Sequence, residues 1–216
     1  IEQVSVAGDT RFDRVYEIAQ QAKRLPEIER FAADAPVFIA GSTWPPDEEL
    51  LVGLIERYPD VKFIVAPHEI DPARIEKFCE RISRPALRYT QLTPQSDLAA
   101  AGVLFVDTIG ILSSVYRYGR WGYIGGGFGA GIHNTLEAAT FGLPLAFGPR
   151  YGKFREARDL VTLRGAASIA SAEELERWFA GLHDDPDATG RSGTICKEYV
   201  LQHKGATARI MDEICR

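Results

Sequence analysis

Apolar residues in this chain fall into short unbroken runs separated by longer stretches in which they recur every three or four positions. Unbroken runs suit strands buried on both faces, and the longer recurrence suits helices that cover them. The runs lie at 4–8, 37–40, 61–66, 86–89, 103–106, from Trp121, at 143–147 and at 166–169. Between them the spacing predicts a helix over 10–31, with Phe12, Val15, Tyr16, Ala19 and Ala22 on one stripe and Pro26 as a break or kink. A second helix has Pro45 and Pro46 in its first turn and Leu50, Leu51, Leu54, Ile55 and Tyr58 inward, and three acids near its N-terminus suit the helix dipole. Further helices are predicted over 72–83, 109–118, 132–141 and 153–163, and from Ala172 behind a Ser171 cap. The rest of the chain reads as helical, with interruptions at Pro186, Gly190, Gly193 and Gly205.

Strand and helix in alternation predict an α/β fold: one Rossmann-like domain spanning 1–216, with a parallel sheet covered by helices on both faces. In such a sheet ligands sit beyond the carboxyl ends of the strands, where connections diverge. The polar or glycine-rich turns at 41–45, 67–69, 107–110, 125–134 and 148–153 all fall at that edge. Five unusual loops can therefore converge on one ligand.

Composition narrows the ligand. The 216 residues are 45% apolar and carry a net charge of −5 with no basic block, so no nucleic-acid footprint is expected. No run approaches the roughly 20 apolar residues of a membrane-spanning helix, and no signal peptide is visible, which points to the cytoplasm. Cys79, Cys196 and Cys215 are odd in number and widely spaced, so reduced thiols are expected rather than disulfides or a zinc site. The chain opens at Ile1 inside an expected strand, as a piece of a longer protein would.

The glycine corner is the centre of the chemistry. Five glycines fall within Gly125 to Gly131 and lead toward Ile132. A corner without side chains lets backbone N–H groups approach an anion, so a phosphate site is one reading; a tightly packed strand-to-helix turn is the other. Gly125-x-Gly127-x-x-Ala130 fits the loose dinucleotide fingerprint, but the acid expected at the next strand end is absent, and no Gly-Lys-Ser/Thr sequence makes a P-loop. Asn134 and Glu137 either cap the following helix or hold a phosphate and a ribose. His133 and Glu137 lack the second histidine of a zincin motif. His68 is either a phosphate partner or an edge histidine, Ser42 and Thr43 either ligand contacts or caps, and Asp107 either a cap or an acceptor for a ligand hydroxyl. Asp185-Pro-Asp187 reads as a solvated loop. No catalytic serine triad or nucleophile elbow is present.

Taken together, Gly41-Ser-Thr-Trp-Pro-Pro-Asp-Glu-Glu, Ala66-Pro-His-Glu-Ile, Asp107-Thr-Ile-Gly, Tyr123-Ile-Gly-Gly-Gly-Phe-Gly-Ala-Gly-Ile-His-Asn-Thr-Leu-Glu and Phe147-Gly-Pro-Arg-Tyr-Gly-Lys-Phe-Arg-Glu-Ala resemble the C-terminal half of the 3-deoxy-D-manno-oct-2-ulosonic acid (Kdo) transferases. The resemblance runs from Gly8 to Thr207. It implies a GT-B glycosyltransferase with two Rossmann-like domains, of which the C-terminal one holds CMP-Kdo and the N-terminal one a lipid A precursor. It further implies inverting transfer without metal or cofactor, in lipopolysaccharide synthesis at the cytoplasmic face of the inner membrane. The family's catalytic carboxylate belongs to the half not seen here, so no catalytic residue is expected in this chain. The resemblance implies Gly126, Gly127, Gly131 and Asn134 at the leaving phosphate, with Pro67-His68 and Lys153 as helpers. It sets Glu137 at the ribose, Ser42 and Thr43 near the sugar or phosphate, and Asp107 and Thr108 near the cytosine. Two other readings stand beside it: a GT-B domain for a UDP-sugar, as in an epimerase or another transferase, and a non-catalytic docking module.

Overall fold

A computed structural model describes residues 4–215. In chain order the elements are α1 (Thr10–Gln20), α2 (Pro26–Ala32), β1 (Val37–Thr43), α3 (Pro45–Arg57), β2 (Lys62–Pro67), α4 (Pro72–Cys79), β3 (Ala86–Arg88), β4 (Val103–Phe105), α5 (Leu112–Val115), β5 (Trp121–Ile124), α6 (Leu136–Thr140), β6 (Leu145–Phe147), α7 (Arg155–Leu163), β7 (Ala166–Ser168), α8 (Ala172–His183), α9 (Pro186–His203) and α10 (Ala206–Ile214). The seven strands form a parallel sheet in the order β3-β4-β2-β1-β5-β6-β7. From β1 the chain winds outward through β2, and from β5 it winds outward the other way through β6. The connections therefore diverge between β1 and β5, which leaves a crevice at the carboxyl ends of those two strands.

Both faces of the sheet are dry, as the unbroken apolar runs require. One face packs Ile39, Ile64, Leu104 and Leu145 against Phe12, Val15, Leu136, Leu160 and Val200 of the helices. The other packs Phe38, Phe63, Phe105 and Trp121 against Leu51, Ile55, Phe78, Leu175 and Phe179. Large side chains buried this completely contribute about 1.5–3 kcal/mol each before conformational entropy is subtracted, and Phe179 stacks edge-on to both Phe38 and Trp121. Pro26 begins a new helix after a break at 21–25, as its position predicts.

Four expectations are corrected. The run at 4–8 is not a strand over its described residues: Val4 and Val6 are 81% and 93% exposed and have no partner strand. The helix expected over 109–118 shrinks to α5 followed by a 3-10 turn, Tyr116–Tyr118. The helix expected over 132–141 starts only at Leu136, because the Asn134 carboxamide takes the Leu136 N–H at 3.0 Å and holds the preceding residues in a turn. Gly190 and Gly193 do not interrupt α9. At Gly193 the missing side chain lets the helix approach Gly142, whose carbonyl would lie 2.2 Å from an added Cβ.

The thiols are unpaired among the described residues. Cys196 donates to the Gly165 carbonyl at 3.0 Å, and burial pushes its pKa up to about 12. His183, at the end of α8, lies 2.7 Å from Asp60 and 2.9 Å from Asp184. Burial pulls its pKa down, but the bonds to Asp184 and Asp60 outweigh that and leave it raised. Its contribution to stability is therefore full below the ordinary histidine pKa of about 6.5 and is lost as pH rises through the folded-state value. Urea titrations should show the wild type losing a few tenths to about 1 kcal/mol across that window. His183→Gln should remove the slope, and an unchanged slope in that variant would show that the pair does not titrate with folding.

Candidate functional site

The crevice between β1 and β5 is closed by a network centred on Asp47, at the third position of α3. Its carboxylate, 1% exposed, accepts from the Trp44 N–H at 2.9 Å, the Tyr123 hydroxyl at 2.6 Å and the Gly126 N–H at 2.9 Å. One side chain thus joins the loop after β1, the strand β5 and the glycine corner. An acid in the first turn of a helix favours the dipole. Here it also satisfies donors that burial would otherwise leave unpaired.

The corner itself requires glycine. An added Cβ on Gly125 would lie 2.1 Å from the Ser42 carbonyl, and one on Gly127 would lie 2.6 Å from the backbone of Gly148. Gly126 and Gly131 hold φ of 92° and 136°, a region that favours glycine, and the Gly126 carbonyl accepts from the N–H of both Gly129 and Gly131. Ser42 also stands at positive φ, 55°, beside the irregularity where β1 slips against β2.

Over the corner stand three rings from three different loops. The indole of Trp44 stacks on His68 with centroids 4.7 Å apart, and His68 stacks on His133 at 4.2 Å. The Trp44 Nε1–H donates to His133 Nε2 at 3.0 Å. An indole nitrogen can only donate, so this bond requires an unprotonated Nε2 and a neutral imidazole with its proton on Nδ1. Burial, and then the neighbouring His68, lower the His133 pKa and favour that neutral form. Trp44, Pro46, Phe128, His133 and the corner glycines enclose a cleft of about 380 Å³.

Most of the sequence-predicted residues gather here. Ser42 abuts Gly125, and the Thr43 carbonyl accepts from the His68 N–H at 2.9 Å just past Pro67. Gly126, Gly127 and Gly131 form the corner, with Gly126 against His133 and Gly131 against Phe154, the neighbour of the exposed Lys153. The Thr43 hydroxyl donates inward, to Glu48 at 3.0 Å, where burial raises the Glu48 pKa. Asn134 and Glu137 follow His133 and bond to each other at 3.0 Å. Glu137 does not reach back to a backbone N–H as a capping box would, and burial raises its pKa. Asp107 sits apart, under β3 and β4. Its carboxylate is taken by Arg88 at 2.9 Å and by the Thr90 N–H and hydroxyl at 2.9 and 2.6 Å, while Thr108 is half-buried at the loop's start. Desolvation raises the Asp107 pKa, but the bonds from Thr90 and Arg88 outweigh it and hold it below the usual range.

Sequence reading missed Trp44, Asp47 and His133 as members of one site. Trp-Pro-Pro-Asp was the available signal, since an acid three residues past the residue before a helix can reach back to it. The contacts to Tyr123, Gly126 and His133 span 76 to 89 positions and leave no local mark. Among the described residues no group of three or more His, Cys, Asp or Glu could hold a metal ion, and no helix is long and apolar enough to cross a membrane.

No family model matches the chain. It is 24% identical over 211 residues to the 3-deoxy-D-manno-octulosonic acid transferase of Chlamydophila psittaci, covering 96% of this chain and 48% of the relative. It is 29% identical over 198 residues to that of Rickettsia bellii, covering 88% and 46%. The chain thus spans about half the length of the curated relatives it matches. Its fold superposes on the C-terminal CMP-Kdo binding domain of WaaA from Acinetobacter baumannii with a TM-score of 0.70 and 22% identity, over 88% of this chain and 99% of that one. The Rossmann-like, GT-B type of sheet expected from the sequence is therefore the fold observed.

Proposed function

We propose, from the similarity of this chain to Kdo transferases, that residues 1–216 form the donor-binding domain of such an enzyme, with CMP-Kdo as the donor. The observation that carries the reading is the Trp44, His68 and His133 stack over a glycine corner, set at the crevice where a wound sheet takes its ligand. Relatives named as Kdo transferases align across nearly the whole chain, and the domain of like fold from Acinetobacter baumannii is described as binding CMP-Kdo, which supports a cytidine nucleotide over a UDP-sugar.

Breaking the bond from Kdo to CMP leaves negative charge on the phosphate. Donors fixed before the reaction meet that charge without reorganising. In this reading the corner at Gly126, Gly127 and Gly131 lets the phosphate approach closely, its Gly126 and Gly131 N–H groups being already bonded to Asp47 and to the Gly126 carbonyl, while the Asn134 carboxamide donates to the phosphate and Glu137 accepts from the ribose hydroxyls. His68 and Lys153 assist, and Ser42, Thr43 and Pro67 shape the rim. Asp107 and Thr108, assigned to the cytosine side, act from the end of β4, two strands from β1, with Asp107 held by Arg88 and Thr90. A ring stack of this kind offers a flat apolar face for a base or sugar and two imidazoles for an acid group. A second half of the enzyme supplies the catalytic carboxylate and receives the lipid A precursor at the cytoplasmic face of the inner membrane. This half alone binds donor without turnover.

Calorimetric titration tests the reading. CMP and CTP should bind and UDP-N-acetylglucosamine should bind at least about tenfold more weakly, with Asn134→Ala and Glu137→Ala each losing about 1–2 kcal/mol of affinity in a domain that still folds. Equal heats for cytidine and uridine nucleotides would favour the UDP-sugar alternative. No heat from either would remove the nucleotide reading altogether.

A further inference from the structure

A second concave surface lies on the opposite side of the domain's sheet order, at β7, the last strand among the described residues. The Gly165 carbonyl and the Ile169 N–H bond to β6, at Leu145 and Phe147. Backbone groups along a strand alternate in direction, so those of Ala166 and Ser168 point away from β6, toward open sheet edge. Helices α8 and α9 leave their shared corner at 184–185 on either face of the sheet and flank this edge. Between them lies a groove of about 720 Å³, floored by Ala166 and Ala167.

The walls combine apolar and cationic side chains. Trp178 and Ile195 line it from α8 and α9, and Leu163, 49% exposed, stands at its end. Arg164, Arg177 and Arg191 also line it, one from each surrounding element. Arg191 is held by Asp185 only at 3.6 Å, Arg177 is exposed beside Glu173, and Arg164 has no ion-pair partner among the described residues. Charges on an edge strand commonly protect it from pairing. Here the strand carries only Ala, Ala and Ser, and the charges sit on the flanking helices, where they frame a guest strand instead of repelling it. Three arginines thus meet on one groove of a chain whose net charge is −5.

We infer that this groove binds an extended acidic peptide segment of a partner protein, which adds as a strand to β7 while its carboxylates meet Arg164, Arg177 and Arg191. Main-chain bonds to Ala166 and Ser168 provide the affinity common to such additions, and the arginine rim selects for charge. A bilayer surface does not match the site, because a flat surface cannot enter a trough or complete a strand ladder.

The test uses the 216-residue protein and two fluorescein-labelled hexapeptides, (Val-Glu)3 and (Val-Lys)3, followed by anisotropy and by 15N NMR. (Val-Glu)3 should bind saturably and at least about tenfold more tightly than (Val-Lys)3. It should shift the Ala166 and Ser168 amides and the Trp178 indole N–H. Arg177→Glu with Arg191→Glu should invert the preference, and Arg177→Gln with Arg191→Gln, a milder pair, should reduce it if the charge reversal fails to fold. Absence of saturable binding, equal binding of both peptides, or shifts at Trp178 without shifts at Ala166 and Ser168 would overturn the inference. So would vesicles of phosphatidylglycerol that move the Trp178 resonance when the acidic peptide does not.

Discussion

Replacing Asp47 with alanine is expected to cost at least about 3 kcal/mol of unfolding free energy, because three donors lose a buried anionic acceptor at once and such losses run to 1–3 kcal/mol each. The donors are the Trp44 N–H, the Tyr123 hydroxyl and the Gly126 N–H. For a domain of this size that corresponds to a fall in Tm of roughly 6–12 °C. Burial, the charge of Asp47 and their hydrogen bond all raise the Tyr123 pKa, so the hydroxyl stays a proton donor and cannot compensate by ionising. Asp47→Asn keeps an acceptor for Tyr123 or Gly126 but brings an N–H₂ toward the other, and an intermediate loss is expected. Nucleotide binding should fall with Asp47→Ala even at temperatures where the variant remains folded, since the loop after β1 and the glycine corner are no longer joined. A loss below about 1 kcal/mol would mean that water replaces the carboxylate and that the network does not organise the crevice.

The second large effect is at the corner. Gly127→Ala should destabilise the protein by roughly 1–3 kcal/mol and reduce cytidine nucleotide affinity more than tenfold, because the new methyl must push apart two backbone segments rather than a flexible side chain. The atoms it would meet are the N and Cα of Gly148, both at 2.6 Å. Gly125→Ala, facing the Ser42 carbonyl at 2.1 Å, should behave the same way. Gly129→Ala is the control. Its nearest neighbour is the Gly126 carbonyl at 3.6 Å, ordinary contact, and it should be close to neutral in thermal melts and in titration. If all three variants bind nucleotide equally, the close approach at the corner serves packing alone.

How much of this was legible in the sequence follows from the range of each interaction. The strands from β1 onward were readable because burial on both faces writes an unbroken apolar run, and the break at Pro26 because proline acts on its own backbone. The placement of the glycine corner at the ligand edge followed from alternation alone. What failed was settled elsewhere in the chain. Val4 and Val6 have a strand-like composition, yet composition cannot create a neighbour to pair with, and the sheet ends at β3 and β7 instead. Gly193 looked like a helix breaker, but the Gly142 carbonyl, distant in sequence, makes it a contact point. By sequence Asn134 is either a helix cap or a phosphate ligand, and its short-range bond to Leu136 delays the helix that a cap would have begun. The ring stack combines Trp44, His68 and His133 from loops after three strands, and nothing local to any of them announces the other two.

The three tryptophans of the chain divide the molecule into reporters: Trp44 over the cleft, Trp121 in the core beside Thr189, and Trp178 in the β7 groove. The most direct test of the cleft as the nucleotide site is therefore to titrate CMP into 15N-labelled protein and follow the three indole N–H resonances. The Trp44 signal should move saturably, as its bond to His133 responds to the ligand, while those of Trp121 and Trp178 stay in place. A saturable shift at Trp178 with Trp44 unmoved, or no shift at any of the three at CMP concentrations where calorimetry registers binding, would contradict the account.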